Sequence, residues 1–426
     1  MSNNWKKGTI CIQGGYTPKS GEPRVLPIFQ STTYKYNDPD EVAALFDLKA
    51  NGHMYSRISN PTIAAYEEKL AQLEGGVGAL AVSAGQTATT LAILNICKSG
   101  EHIVAASTLY GGTFTLLSST LKKFGIDVSF VNPDADEEEI LKAFRDNTRA
   151  IFGETIGNPG LNILDFDKFS RIAKKAQVPF IVDNTLATPY LCNPLKLGAN
   201  IVIHSATKYI DGHASSVGGI IVDGGNFNWD NGKYPELTEP DPTYHGIRYT
   251  ESFGNAAYII KARVQLLRDL GVCTSPFNAY LFNLGLETLH LRMERHSDNA
   301  LKLAKYLEKN ENVSWVSYPL LESHPTYESA KKYLPNGASG ILTFGVKGGV
   351  EAGKKLIRNL KLAALVVHLG DARTSVIHPA STTHRQLTEE QQIKAGVAPD
   401  LIRVSVGIED VEDIIKDFEQ ALENLA

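Results

Sequence analysis

The sequence predicts an α/β protein: a large domain on a mostly parallel β-sheet, followed by a smaller C-terminal α+β domain. Three observations carry this. Short continuous runs of Val, Ile and Ala alternate with helical patterns between residues 60 and 205. Those runs lack the alternation of a sheet with one wet face, so they read as strands buried on both sides, the habit of parallel sheets. The chain also has 426 residues, more than one ordinary core accommodates.

The elements follow in order. Residues 1–59 are rich in Gly, Pro, Asn, Ser and Thr, show little sustained periodicity and are expected to form an arm. Residues 62–73 predict a helix that starts after Pro61 and stops at Gly75 and Gly76. Runs at 79–82, 102–106, 128–131, 150–153, 180–182 and 201–203 predict strands. Helices are expected from 86, over 113–124 and over 166–176, which completes repeated strand–helix units. Residues 223–250 break the rhythm with Gly, Pro, Asn and aromatics and read as a long ordered insertion. A helical pattern then runs from about 277 to 307, strands recur near 341–346 and 402–406, and a helix closes the chain at 411–425. The expected division is an arm (1–59), a large domain (60–284) and a small domain (285–426).

Composition narrows the function classes. With 43% hydrophobic and 21% charged residues the chain has the mix of a soluble globular protein. A net charge of −5 gives no global attraction to nucleic acid or anionic lipid, so neither is an expected partner. Residues 75–97 carry no charge, yet Ser83, Gly85, Gln86 and three threonines interrupt them. They fit a strand, a glycine turn and a buried helix better than a membrane span. Cys11, Cys97, Cys192 and Cys273 are scattered without a CxxC pair, and the N-terminus lacks the apolar core of a signal peptide. A reducing, cytoplasmic setting is expected. Cys192 and Cys273 read as small core residues. His378 and His384 in HPASTTH have no carboxylate or cysteine at ligand spacing, so structural histidines and no metal are expected. There is no GxxxxGK[ST] and no strand-coupled GxGxxG to support nucleotide binding.

Parallel sheets bind ligands beyond the carboxyl ends of their strands. The residues just past the apolar runs are 83–86, 108–112, 154–158, 183–185 and 205–208. Asp183 ends VPFIVDN, and Lys208 follows the next run in NIVIHSATKY. Asp183 alone reads as a turn cap. A lysine at the end of a buried strand must lose its charge, find a partner or form a covalent bond. Together, with Ser205 and Thr207 beside the lysine, they suit an aldehyde that carries a phosphate and a basic ring nitrogen. The amine condenses with the aldehyde, and the carboxylate keeps the ring nitrogen protonated so that the ring withdraws electrons. Ser205, Thr207 and the backbone N–H groups at Gly85 and Gln86, which open a helix, can hold the phosphate.

SATKYIDGHASSVGG resembles the lysine motif of the Cys/Met-metabolism pyridoxal-phosphate (PLP) enzymes, a branch of the aspartate-aminotransferase fold (PLP fold type I). YSRISNPT, SAGQTA, LYGGT, ETIGNP, VDNT, HPASTTH and LIRVSVGIED stand in the family's order along nearly the whole chain. The insertion at 223–250 and IIKARVQLLRDLG resemble the O-acetylhomoserine sulfhydrylase branch. The resemblance implies PLP as cofactor, Lys208 as the Schiff-base and proton-shuttling lysine, and Asp183 at the ring nitrogen. It implies that Tyr110 stacks on the ring and aids proton transfer, and that Ser205, Thr207, Gly85 and Gln86 hold the phosphate. Tyr55 and Arg57 would reach the same phosphate from a neighbouring subunit, with Tyr55 also near substrate. Arg403 would grip the substrate carboxylate, while Asn158 and Thr374 would line the substrate side. The bland alternatives are surface positions for Tyr55 and Arg57 and an edge-strand charge for Arg403.

The activity this implies is γ-replacement on O-acetyl-L-homoserine by sulfide or a small thiol, in a homotetramer made of two dimers. Alternatives are γ-elimination of the methionine γ-lyase kind, transsulfuration of the cystathionine γ-synthase kind, and a PLP-binding protein without turnover. Methionine γ-lyases usually carry cysteine where this chain has Gly112, which argues against efficient lyase chemistry.

Overall fold

The computed structural model describes residues 5–383, 385, 390 and 396–425. Seven strands form the first sheet: β1 (Gly78–Val82), β2 (His102–Ala106), β3 (Asp127–Val131), β4 (Thr148–Glu154), β5 (Phe180–Asp183), β6 (Ile201–Ser205) and β7 (Gly219–Asp223). Their spatial order is β1-β7-β6-β5-β4-β2-β3. The neighbours from β6 through β3 run parallel, whereas β7 is antiparallel to both β1 and β6. The sequence reading missed β7. Its GIIVD run adjoins the irregular insertion, and strand direction is a property of pairing that no single segment encodes. Most residues of the central strands are fully buried, including Ile151, Phe152, Phe180, Ile181, Ile201 and Val202. Each such side chain contributes roughly 1.5–3 kcal/mol on leaving water.

Helix Pro61–Glu74 shows how local chemistry sets the boundaries. The Asn60 side chain accepts from the N–H groups of Thr62 and Ile63, Pro61 occupies the first turn, and Gly75 closes the helix at φ 80°. The structure refines three expectations. The supposed arm contains helix Lys7–Gln13, whose Cys11 is fully buried, and helix Pro39–Phe46. The pattern over 277–307 is two helices, Pro276–Glu287 and Leu289–Leu307, separated at Thr288. The predicted helix over 113–124 is present but irregular: an α-helical turn, Gly111–Thr115, widens to a π stretch, Leu116–Thr120, and tightens to a 3-10 turn, Leu121–Phe124, that ends at Gly125. The insertion at 223–250 is anchored, with Trp229, Tyr234 and Tyr249 buried and the Trp229 and Tyr258 rings stacked 5.1 Å apart.

The second sheet comprises β8 (Val313–Ser317), β9 (Ile341–Val346), β10 (Ala364–Leu365), β11 (Ser375–Ile377) and β12 (Leu401–Ser405), in the order β10-β11-β12-β9-β8. All its pairs are antiparallel except β10–β11. Helices Leu289–Leu307 and Gly349–Asn359 pack against it, and Val411–Glu423 packs against both helices with its Phe418 ring against Phe344 of β9. Arg403 lies on β12, between β11 and β9, so it is a central-strand residue and not an edge-strand charge.

Candidate active site

Register brings the chemistry together. Parallel pairing of β4 with β5 sets Glu154 opposite Asp183, and β6 ends beside them at Ser205. Three polar side chains therefore stand at adjacent strand ends. Asp183 Oδ1 accepts the Thr185 N–H at 2.9 Å. Burial pushes its carboxyl above the usual carboxylate range, while bonds from Thr185 and the nearby His204 pull it down. No ion pair neutralises Asp183 among the described residues, so its charge is open to a cationic ligand.

Lys208 follows the end of β6. Desolvation, then the nearby charge of Arg403, lowers its amine to about 8, so a useful fraction is the neutral nucleophile near physiological pH. Its Nζ lies 3.5 Å from His368 Nδ1. The segment that brings His368 there crosses close to the lysine backbone. A Cβ on Gly370 (φ 79°) would lie 2.8 Å from the Tyr209 N and 3.1 Å from the Lys208 carbonyl carbon. Glycine is the residue that tolerates both the positive φ and the approach.

A cluster of unpartnered polar groups lies alongside. Helix Gly85–Leu94 begins without a side-chain cap, so its first N–H groups remain free. A Cβ on Gly85 would sit 2.6 Å from Ser205 Cβ, which shows how tightly the helix start meets the end of β6. The Ser205 hydroxyl has no hydrogen bond among the described residues, and Gln86 Oε1 is buried without a partner. The Thr207 hydroxyl donates to the Gly218 carbonyl and accepts from the Gly218 N–H, so it braces the loop as well. An aldehyde with a phosphate and a basic ring fits this donor set: amine, carboxylate and uncapped helix start each meet one of its groups.

The Cys/Met metabolism PLP-dependent enzyme family matches residues 8–423. The chain belongs to that family. PLP is therefore its cofactor. Among relatives, the O-acetyl-L-homoserine sulfhydrylase of Leptospira meyeri is 51% identical, over 100% of this chain and 98% of that one. The homocysteine synthase of Schizosaccharomyces pombe is 48% identical, over 97% of each chain. Among solved structures, a Campylobacter jejuni chain described as an O-acetylhomoserine (thiol)-lyase superposes with TM-score 0.95 at 38% identity. The match covers 98% of this chain and 100% of that one, and that structure carries a pyridoxyl-lysine monophosphate.

The remaining predicted residues divide. Tyr110 is half exposed, and its N–H donates to Glu154 Oε1 at 2.8 Å. Arg403 is shielded enough that burial lowers its pKa, and its guanidinium has no hydrogen bond or ion pair among the described residues. Asn158 is buried, and its side-chain amide likewise has no hydrogen bond there. Thr374 differs: its hydroxyl donates to Glu409 at 2.9 Å and accepts from the Gly407 N–H, so it holds the loop and is not free for substrate. Tyr55 and Arg57 are on the arm, with the guanidinium 5.2 Å from the Tyr55 ring centre and bonded to the Arg268 carbonyl. Among the described residues no hydrogen bond joins them to Lys208 or Asp183. Both His378 nitrogens are engaged, with Ser381 and the Pro399 carbonyl, as a structural histidine requires. His384 lies outside the described residues.

Sequence reasoning missed Glu154, Thr185 and His368 as individual site residues. Glu154 ends β4 and Thr185 follows β5, both in polar segments just past apolar runs, so position was the available signal. His368 reaches Lys208 across 160 residues, and no local pattern announces that.

Proposed function

We propose that this enzyme catalyses γ-replacement on O-acetyl-L-homoserine, with sulfide displacing acetate to give homocysteine, and methanethiol giving methionine. The observation that carries the reading is Arg403. A shielded, unpaired guanidinium beside the Lys208 amine is a seat for an amino-acid carboxylate. The PLP-family fold and the sulfhydrylase names of the relatives support the acyl-homoserine substrate.

PLP, when bound, links to the amino-acid nitrogen and withdraws electrons from Cα. The protein does the rest. Lys208 would take the Cα proton and then serve at Cβ. Asp183 would hold the ring nitrogen in its protonated form, Tyr110 would stack on the ring and help to move protons, and Asn158 would line the substrate side. Gly112 keeps the site open, because a Cβ there would lie 2.5 Å from the Tyr110 ring and 2.8 Å from the Gln86 amide nitrogen. A side chain at 112 would displace both groups.

The same proposal assigns Tyr55 and Arg57 to the phosphate of a neighbouring subunit, which makes a dimer the smallest active unit and a dimer of dimers the assembly. It also assigns residues 60–284 and 285–426 to two domains, so that Arg403 of the second faces Lys208 of the first. A cytoplasmic setting is consistent with four free cysteines.

The test is product analysis of the holoenzyme with O-acetyl-, O-succinyl- and O-phospho-homoserine, each with sulfide, methanethiol and cysteine in competition. Homocysteine from the acetyl ester plus sulfide is expected to dominate. Dominant cystathionine, or 2-oxobutanoate released from methionine, would replace this reading with transsulfuration or lyase chemistry. No turnover at full cofactor occupancy would leave a binding protein.

A further inference from the structure

Glu154 is a buried carboxyl that the chemistry above does not use. It sits at the C-terminal end of β4, directly opposite Asp183 in the parallel register. Its Oε1 accepts the Tyr110 N–H at 2.8 Å, and no cation pairs with it among the described residues. Glu154 thus joins the carboxylate expected under the cofactor ring to the aromatic residue expected over it.

Two unpaired carboxyl groups at neighbouring strand ends, Glu154 buried and Asp183 partly so, repel each other, and a second charge there is disfavoured. The hydrogen bonds decide which one keeps the charge. Asp183 has help from the Thr185 N–H, the Thr185 side chain and nearby His204. Glu154 has the Tyr110 N–H alone, against desolvation and the repulsion of Asp183. Both effects push its carboxyl well above the usual carboxylate range.

We propose that Glu154 is a positioning residue that shares one negative charge with Asp183, as the uncharged member of the pair, and that fixes Tyr110 against the cofactor. The pair thereby presents a single anion to the ring nitrogen. A second anion there would over-stabilise the protonated ring and strip Tyr110 of its fixed place, because an ionised, repelled carboxylate would turn away from Asp183. The inference rests on the reading of Asp183 and Tyr110 as cofactor-facing groups.

Glu154→Gln and Glu154→Ala in the holoenzyme test it, with thermal melts to confirm the fold. Glutamine keeps a neutral acceptor for the Tyr110 N–H. It should keep kcat within threefold of wild type from pH 6 to 8 and leave the visible circular dichroism of the bound cofactor unchanged. Alanine removes the acceptor. It should lower kcat by about tenfold or more, leave KM within threefold, and weaken the visible circular dichroism as Tyr110 loses its place. A glutamine variant as impaired as alanine would show that the negative charge of Glu154 matters, and a harmless alanine would show that Tyr110 needs no anchor. Either result overturns the proposal. A wild type with no lysine-bound cofactor would instead overturn the reading beneath it.

Discussion

Removing Arg403 should have two separable consequences. The first is loss of the substrate carboxylate grip. A charge-assisted, two-pronged pair in a water-poor site is worth ~2–4 kcal/mol on truncation. At about 1.4 kcal/mol per decade this is a rise of roughly 30- to 700-fold in the dissociation constant of O-acetyl-L-homoserine. The second consequence concerns Lys208. Its amine is lowered to about 8 by desolvation first and by the Arg403 charge second. In Arg403→Ala the smaller cause disappears and the larger stays, so the amine titrates above 8 yet below an ordinary lysine. Neutral amine then becomes scarcer at pH 7.5, and recombination of PLP with the apoenzyme should move to higher pH. Spectral titration with substrate measures the first effect, and recombination rate against pH measures the second. Arg403→Lys keeps the charge without the planar fork, so it should preserve the recombination profile and still bind substrate poorly. Substrate affinity unchanged within twofold in Arg403→Ala would remove Arg403 from the site. An unmoved recombination profile would refute its influence on Lys208.

Lys208→Ala should abolish the visible band of the lysine-bound cofactor and lower turnover by several orders of magnitude; persistence of that band would disprove the assignment. Gly85→Ala places a Cβ 2.6 Å from Ser205 Cβ, so the helix start and the end of β6 must separate. PLP affinity should fall by about tenfold with a stability loss of ~1–3 kcal/mol, read by dialysis and by denaturant titration. Asp223 on β7 accepts the Gly225 N–H at 2.9 Å, its Oδ2 is buried without a partner, and burial raises its carboxyl to about 7. Its folded-state value lies above the unfolded ~3.9, so its contribution to stability is present below that value and is lost as pH rises through 7. Asp223→Asn should therefore flatten the decline of stability between pH 5 and 8 and add ~1–3 kcal/mol at pH 8; melting curves that keep the wild-type slope would contradict this.

What the sequence determined by itself was the set of local events. Continuous apolar runs gave the buried strands, and Asn60, Pro61 and Gly75 gave one helix its bounds because caps and breakers act within a turn. Asp183, Ser205 and Lys208 were legible because they stand at or just past the ends of apolar runs, and their side-chain types match the groups of one cofactor. The tertiary structure alone decided the rest. That β7 runs antiparallel, that Arg403 lies in the middle of a sheet, and that Thr374 spends its hydroxyl on Glu409 all depend on partners far away in the chain. So does the meeting of Glu154 with Asp183 and of His368 with Lys208. Hydrogen-bond satisfaction and charge sharing are pairwise quantities, and a chain read one segment at a time contains the members of each pair without their distance.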